Sequence, residues 1–325
     1  MSEVIIEAVE NYGLSQKKKP KALFSKVGIV GCGTVGQNIA RMISRSGMEV
    51  IFIELSDEKI QHAIDEIEMT LDGMIDHWGM TNTEKRIIMS RIHGSIDYKK
   101  LKGCDIVIDA IKSKTREMMV EERKVIFRNI EKHVDPETII ATNSTTTVIT
   151  ELSSELKHND RCVSLHFSTT TPDANIIEVV KGLFTSKETY ERVKKFTKLL
   201  QKVAIPVEES PGLISVRLYS ALVNEACEVL MEGVGTKEDI DRTIKNSFGL
   251  RLGPFEMADK IGIDKLVRWL DNLYREFGNM KYKASPILKK LLRSNNLGRR
   301  TGMGFYKYDE KGKKIGGNDL MKNIC

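Results

Sequence analysis

Lys26-Val27-Gly28-Ile29-Val30-Gly31-Cys32-Gly33-Thr34-Val35-Gly36, followed by helical apolar spacing over residues 37–46, decides how this chain is read. The first five residues form a short apolar run suited to a buried strand, and glycines interrupt it just before a helix begins. GxGxxG in that setting is a dinucleotide fingerprint. Gly31 permits the tight turn, Gly33 lets the backbone approach a pyrophosphate, and Gly36 lets the helix pack closely on the strand. The helix start at Thr34 and Val35 adds unpaired amides and the positive end of the helix dipole. A second apolar run at 49–55 holds Glu54 near its end, where a carboxylate accepts hydrogen bonds from the adenosine ribose and repels a 2′-phosphate. NAD rather than NADP is the expected cofactor. The competing reading, a structural glycine turn beside a solvated glutamate, is disfavoured because loop and acid occur together at a suitable spacing.

Working outward, residues 57–90 read as helix-rich, with Ile60, Ile64, Ile67, Leu71 and Ile75 on one face. Short apolar runs follow at 106–111, 138–141, 163–167 and 176–180, with helical stretches between the earlier ones. Strands alternating with helices predict an α/β fold, a Rossmann-type, doubly wound parallel sheet. After Pro206 the pattern changes, and residues 213–231 and onward to 292 read almost entirely as helix. The expected organisation is an extension over 1–24, a cofactor domain over 25–208 and an all-helical domain over 209–325, opened by Ser210-Pro211-Gly212.

The 325 residues are enough for two domains, and 41% hydrophobic with 30% charged residues is the make-up of an ordinary globular protein. The net charge of +6 is spread along the chain, unlike the concentrated basic patches of nucleic-acid binders, so no nucleic-acid partner is expected. The one tight basic cluster, Lys17, Lys18, Lys19 and Lys21, reads as a solvated linker or an interaction tail. Five scattered cysteines, without a CxxC pair or metal-ligand spacing, predict reduced thiols, no metal and a cytoplasmic setting. No run reaches the ~18 apolar residues of a membrane span, and Glu3, Glu7 and Glu10 argue against a targeting segment.

Val163, Leu165 and Phe167 alternate with Cys162, Ser164 and His166, which places the imidazole on the more polar face at the C-terminal end of its strand. That is the end at which open α/β sheets bind ligands. Glu178 interrupts the apolar run Ile176-Ile177-Glu178-Val179-Val180, and a lone carboxylate in a buried strand is costly without a partner. If the two strands are adjacent, Glu178 can orient His166 as a general base. Spacing alone leaves open a satisfied structural histidine and a strand-end salt bridge.

Six ordered blocks resemble the 3-hydroxyacyl-CoA dehydrogenase family, including its 3-hydroxybutyryl-CoA enzymes, over about residues 26 to 308. They are the glycine loop, Ala141-Thr142-Asn143-Ser144-Thr145, His166-Phe167 with Glu178, Pro211-Gly212-Leu213-Ile214 with Arg217-Leu218, Leu252-Gly253-Pro254-Phe255-Glu256, and residues 298–306. The resemblance implies that His166 takes the hydroxyl proton of a 3-hydroxyacyl-CoA while hydride leaves for NAD, that Glu178 orients His166, and that Thr145 supplies the hydroxyl contacting substrate. It implies that Asn143 sits beside the nicotinamide, that Asp109-Ala110-Ile111 stands for the family's Glu-Ala-Ile with Ala110 and Ile111 on the cofactor, and that Arg116 holds the place of a later lysine. It also implies a homodimer through the helical domain. Three departures alter the substrate shell. Thr169 lies in His166-Phe167-Ser168-Thr169-Thr170 where the family has an amide, Val216 replaces a substrate-contacting Asn, and Ser113 replaces an acid. Two alternatives therefore stand beside the leading reading: a dehydrogenase of free 3-hydroxy acids of the carnitine or gulonate type, and a non-catalytic NAD-binding relative.

Overall fold

A computed structural model of the chain describes residues 24–76, 79–112, 116–167 and 174–318, with backbone alone for 116–119. The extension, apart from Phe24, therefore lies outside the described residues. In the first half, β1 (Lys26–Val30), α1 (Thr34–Arg45), β2 (Glu49–Ile53), α2 (Asp57–Asp76), α3 (Asn82–Met89) and β3 (Ile92–Ser95) are followed by β4 (Ile106–Asp109), α4 (Arg116–His133) and β5 (Ile139–Thr142). Then come α5 (Ile149–Ser153), β6 (Cys162–Phe167), β7 (Ile176–Lys181), α6 (Lys187–Leu199) and β8 (Val203–Glu208). The eight strands form one sheet in the order β3-β2-β1-β4-β5-β6-β7-β8. Order reverses between β1 and β4, which makes the crevice above their C-terminal ends the switch point for a ligand. Ile29, Phe52, Ile108, Val163 and Val179 are buried toward one layer of helices, and Val107 and Ile140 toward the other, in one cluster with Phe127 of α4 and Leu152 of α5. Burial on both faces is why these strands read as unbroken apolar runs.

One pairing departs from the expected parallel sheet: β6 and β7 run antiparallel. Residues 168–175 are too few for the dozen or more that a parallel crossover needs, so the chain must turn back on itself. Antiparallel return sets His166 directly opposite Glu178 in the register. From β7 the chain crosses through α6 to β8, which pairs parallel to β7. Two strands, β3 and β8, were not resolved by the sequence pattern.

The second half packs α7 (Ser215–Met231), α8 (Lys237–Phe248), α9 (Pro254–Ile261), α10 (Ile263–Phe277) and α11 (Pro286–Arg293) around their own core. On α10, Ile263, Leu266, Leu270 and Leu273 are fully buried at three- and four-residue spacing, each contributing about 1.5–3 kcal/mol of transfer free energy. An all-helical second half is not quite what forms, because β9 (Tyr306–Tyr308) and β10 (Lys314–Gly317) make a hairpin. Asp259 on α9 holds it in place, accepting hydrogen bonds from the Phe305 amide at 2.8 Å, the Tyr306 amide at 2.9 Å and the Tyr308 hydroxyl at 3.0 Å. Burial pushes the Asp259 carboxyl up to about 6 against those hydrogen bonds.

Candidate active site

The glycine loop is shaped for a dinucleotide. Gly31 has φ +89°, and a Cβ there would lie 2.9 Å from the Ile111 side chain, so the loop after β1 and the loop after β4 nearly touch. A Cβ on Gly36 would meet the Gly31 carbonyl oxygen at 2.1 Å, a contact only glycine avoids. A Cβ on Gly33 would meet nothing within 4 Å, so the space over the loop is open where a pyrophosphate would rest. No side chain caps α1, which leaves the first-turn amides of Thr34, Val35 and Gly36 to an anion. Glu54 is held at this loop, accepting from the Cys32 amide at 2.6 Å and the Leu55 amide at 3.2 Å. These residues fit NAD: the loop offers donors to phosphates, and Glu54 fixes a carboxylate where ribose hydroxyls would lie. Ala110 follows β4, its amide bonded to the Val30 carbonyl at 2.9 Å.

At the C-terminal end of β6, His166 Nδ1 lies 2.6 Å from Glu178 Oε2. The Ser215 hydroxyl donates to the same oxygen at 2.7 Å, while Glu178 Oε1 accepts from the Ile214 amide at 3.0 Å and the Ser215 amide at 3.1 Å. Glu178 is only 3% exposed. Burial alone would raise its pKa, but the hydrogen bonds from His166 and Ser215 and the attraction of the imidazole outweigh it and hold the carboxyl below its ordinary value. The isolated acid noticed in a strand thus has four donors around it.

Asn143 follows the neighbouring strand β5, its Oδ1 accepting from the Phe167 amide at 2.9 Å and its backbone amide donating to the Asp109 carbonyl at 2.8 Å. Thr145, half-buried on the same loop, accepts through its carbonyl from Gly212 at 2.6 Å. Asn272 of α10 donates to Thr146 at 3.0 Å, so the helical half touches this loop twice. Thr169 lies outside the described residues, as does the side chain of Arg116. Val216 is 2% exposed and packs in the helical core. Its burial leaves little of the side chain for a substrate, and the preceding Ser215 is what reaches the dyad. A hollow of about 340 Å³ lies along β1, β2 and β3 among Lys26, Glu49, His93 and Lys100, away from the dyad.

Two polar groups near the site escaped the sequence reading. Ser215 sits next to the position judged a departure, and a hydroxyl at a helix start was its only signal. Arg123, on α4, pairs with fully buried Asp109, donates to the Ile111 carbonyl at 2.8 Å and to Thr142 Oγ1 at 3.2 Å. Among the described side chains, the basic group paired with Asp109 is Arg123. Its signal was a charge at the i, i+4, i+7 spacing of buried Phe127 and Ile130. The four described cysteines are buried thiols; desolvation pushes Cys32, Cys104 and Cys162 up to about 12. Among the described residues there is no cluster of metal-ligating side chains, and no helix is long and apolar enough to cross a membrane.

Comparison with known proteins bears on the same features. Residues 26–210 match the family model described as 3-hydroxyacyl-CoA dehydrogenase, NAD binding domain, and residues 212–308 match the corresponding C-terminal domain. The 3-hydroxybutyryl-CoA dehydrogenase of Clostridioides difficile is 32% identical over 285 residues, covering 88% of this chain and 100% of that protein. The mitochondrial hydroxyacyl-coenzyme A dehydrogenase of Sus scrofa is 29% identical over 314 residues, covering 94% and 98% respectively. The crystal structure of (S)-3-hydroxybutyryl-CoA dehydrogenase from Ralstonia eutropha superposes with a TM-score of 0.79 at 33% identity, covering 88% of this chain and 100% of that one. The chain belongs to the 3-hydroxyacyl-CoA dehydrogenase family, NAD-dependent oxidoreductases whose cofactor-binding domain it carries in residues 26–210.

Proposed function

We propose that this chain oxidises an (S)-3-hydroxyacyl-CoA of the 3-hydroxybutyryl-CoA kind reversibly to the 3-oxoacyl-CoA, with His166 as general base. The observation that carries the proposal is the 2.6 Å contact between His166 Nδ1 and a Glu178 carboxylate that is itself fully hydrogen-bonded. With Nδ1 engaged as donor, Nε2 is the nitrogen left to accept the proton of the substrate hydroxyl. Glu178 stabilises the imidazolium that results. Thr145 would donate to the substrate oxygen, and Asn143, whose oxygen is engaged by the Phe167 amide, keeps donors to offer the nicotinamide carboxamide. NAD, when bound, accepts the hydride lost from the carbon bearing that hydroxyl.

The same reading takes Gly31, Gly33, Thr34, Val35, Gly36 and Glu54 as holding the cofactor, with Ala110 and Ile111 along its nicotinamide side. It divides the chain into cofactor and helical domains at residues 208 and 209, and places it in the cytoplasm, in keeping with its buried thiols. A homodimer through the helical half would cover exposed Leu218, Val234 and Phe248. The test is NADH oxidation with acetoacetyl-CoA against free acetoacetate. Preference for the thioester is expected. Turnover of the free acid alone would move the chain to the carnitine or gulonate type, and NADH binding without turnover of any 3-oxo compound would make it non-catalytic.

A further inference from the structure

We propose that Ser215 is a positioning residue for this reaction: its hydroxyl, with the two amides that open α7, locks the Glu178 carboxylate in the orientation that serves His166. The inference rests on His166 acting as base. Terminal carboxylate torsions are soft and roughly two-fold, so two strands facing each other do not by themselves fix which way the oxygens of Glu178 point. Four donors do. Oε1 is held by the Ile214 and Ser215 amides at 3.0 and 3.1 Å, and Oε2 is shared by His166 Nδ1 at 2.6 Å and Ser215 Oγ at 2.7 Å. Ser215 supplies two of these four and closes the triangle, its Oγ lying 3.4 Å from His166 Nδ1.

The three partners come from three elements. β6 presents His166, β7 presents Glu178, and α7 of the helical half presents the hydroxyl and the amides. Alignment of the dyad therefore depends on the start of α7 being seated against the sheet, a coupling that a dyad made of two strands alone would lack. The hydroxyl also draws on the negative charge of Oε2, which it shares with the imidazole N–H. Removing it leaves Oε2 to the imidazole N–H alone and alters the balance between carboxylate and imidazole.

The test compares Ser215→Ala, Ser215→Thr and Ser215→Cys with wild type, alongside His166→Gln, in NADH oxidation with acetoacetyl-CoA. For Ser215→Ala the expected outcome is a kcat lower by on the order of ten-fold, the scale of one hydrogen bond to a charged group. KM for NADH stays unchanged, and the alkaline limb of kcat/KM, which in this direction reports the proton His166 must give, is displaced from its wild-type position. Ser215→Thr, which keeps the hydroxyl, restores both. Should Ser215→Ala fail to fold, Ser215→Cys, a near-isostere with a weak donor, reads the same limb. A Ser215→Ala enzyme with wild-type kcat and alkaline limb overturns the proposal. So does a loss confined to KM for the thioester, because Ser215 would then touch substrate. An active His166→Gln enzyme instead removes the base itself, whereas an inactive one beside an unaltered Ser215→Ala removes only the role of Ser215.

Discussion

Replacing Glu178 by Gln keeps the shape of the side chain while exchanging one acceptor oxygen for an amide donor, and the geometry dictates where that donor goes. If it took the place of Oε1 it would face the Ile214 and Ser215 amides, now 3.0 and 3.1 Å from an acceptor, and leave two part-buried donors facing a donor, at no more than about 1–3 kcal/mol each. In the place of Oε2 it would face the Ser215 hydroxyl, which can turn to accept, and His166 Nδ1, which can accept once its proton moves to Nε2. The second arrangement is cheaper in stability, and it leaves His166 a neutral imidazole protonated only at Nε2, which cannot take a proton in the oxidative direction and is a far weaker acid than imidazolium in the reductive one. The charge-assisted bond to imidazolium is lost as well, worth about 1.5–3 kcal/mol. Together with the wrong tautomer, kcat should fall by about 10²–10⁴ while NADH affinity is retained. The assay is single-turnover decay of NADH absorbance at saturating acetoacetyl-CoA, paired with thermal melting. A folded variant with kcat within about three-fold of wild type would refute the reasoning, since one hydrogen bond to a charged group is worth more than that. The pH dependence has a definite sign. Glu178 is held below its ordinary value, so its contribution to stability is complete above about pH 4.3 and disappears as pH falls through the lower folded value.

Gly36→Ala places a Cβ 2.1 Å from the Gly31 oxygen, and neither backbone can yield without opening the cofactor loop; NADH fluorescence titration should show affinity weakened by ten-fold or more, on the order of 1.4 kcal/mol. Unchanged affinity would separate the loop from the cofactor. Arg123→Met strands the fully buried Asp109 without its ion pair and should cost about 3–5 kcal/mol in urea unfolding, with part recovered by adding Asp109→Asn. Asp259, raised to about 6, contributes most to stability below its unfolded value and progressively less as pH rises through about 6. Asp259→Asn should flatten that part of the stability profile, and an identical slope in both proteins would contradict the burial argument.

The cofactor half was legible because each of its signals is local. Gly31, Gly33 and Gly36 follow a strand directly and open a helix, so six residues specify turn, phosphate cradle and packing together. His166 and Glu178 were legible singly, as polar interruptions of buried strands; their meeting depended on strand order, which periodicity does not encode. The shortness of the link between β6 and β7 was the overlooked clue, since it forbids a parallel crossover and forces the antiparallel register that sets them face to face. Substrate-shell positions were read less well. Val216 drew attention as a lost amide, yet helical phase turns it into the core and brings Ser215 to the dyad, a difference of one residue in a 3.6-residue period. Arg123 was hidden because its partner Asp109 lies on a different element, and a single charge in a polar helix looks solvated until the buried face is known.

The most direct test is His166→Gln, measured for both NADH binding by fluorescence and hydride transfer to acetoacetyl-CoA in a single turnover. A protein that binds NADH like wild type but transfers no hydride is the predicted result. Hydride transfer at an undiminished rate would mean that some other group supplies the proton, and the histidine pairing with Glu178 would then be structural.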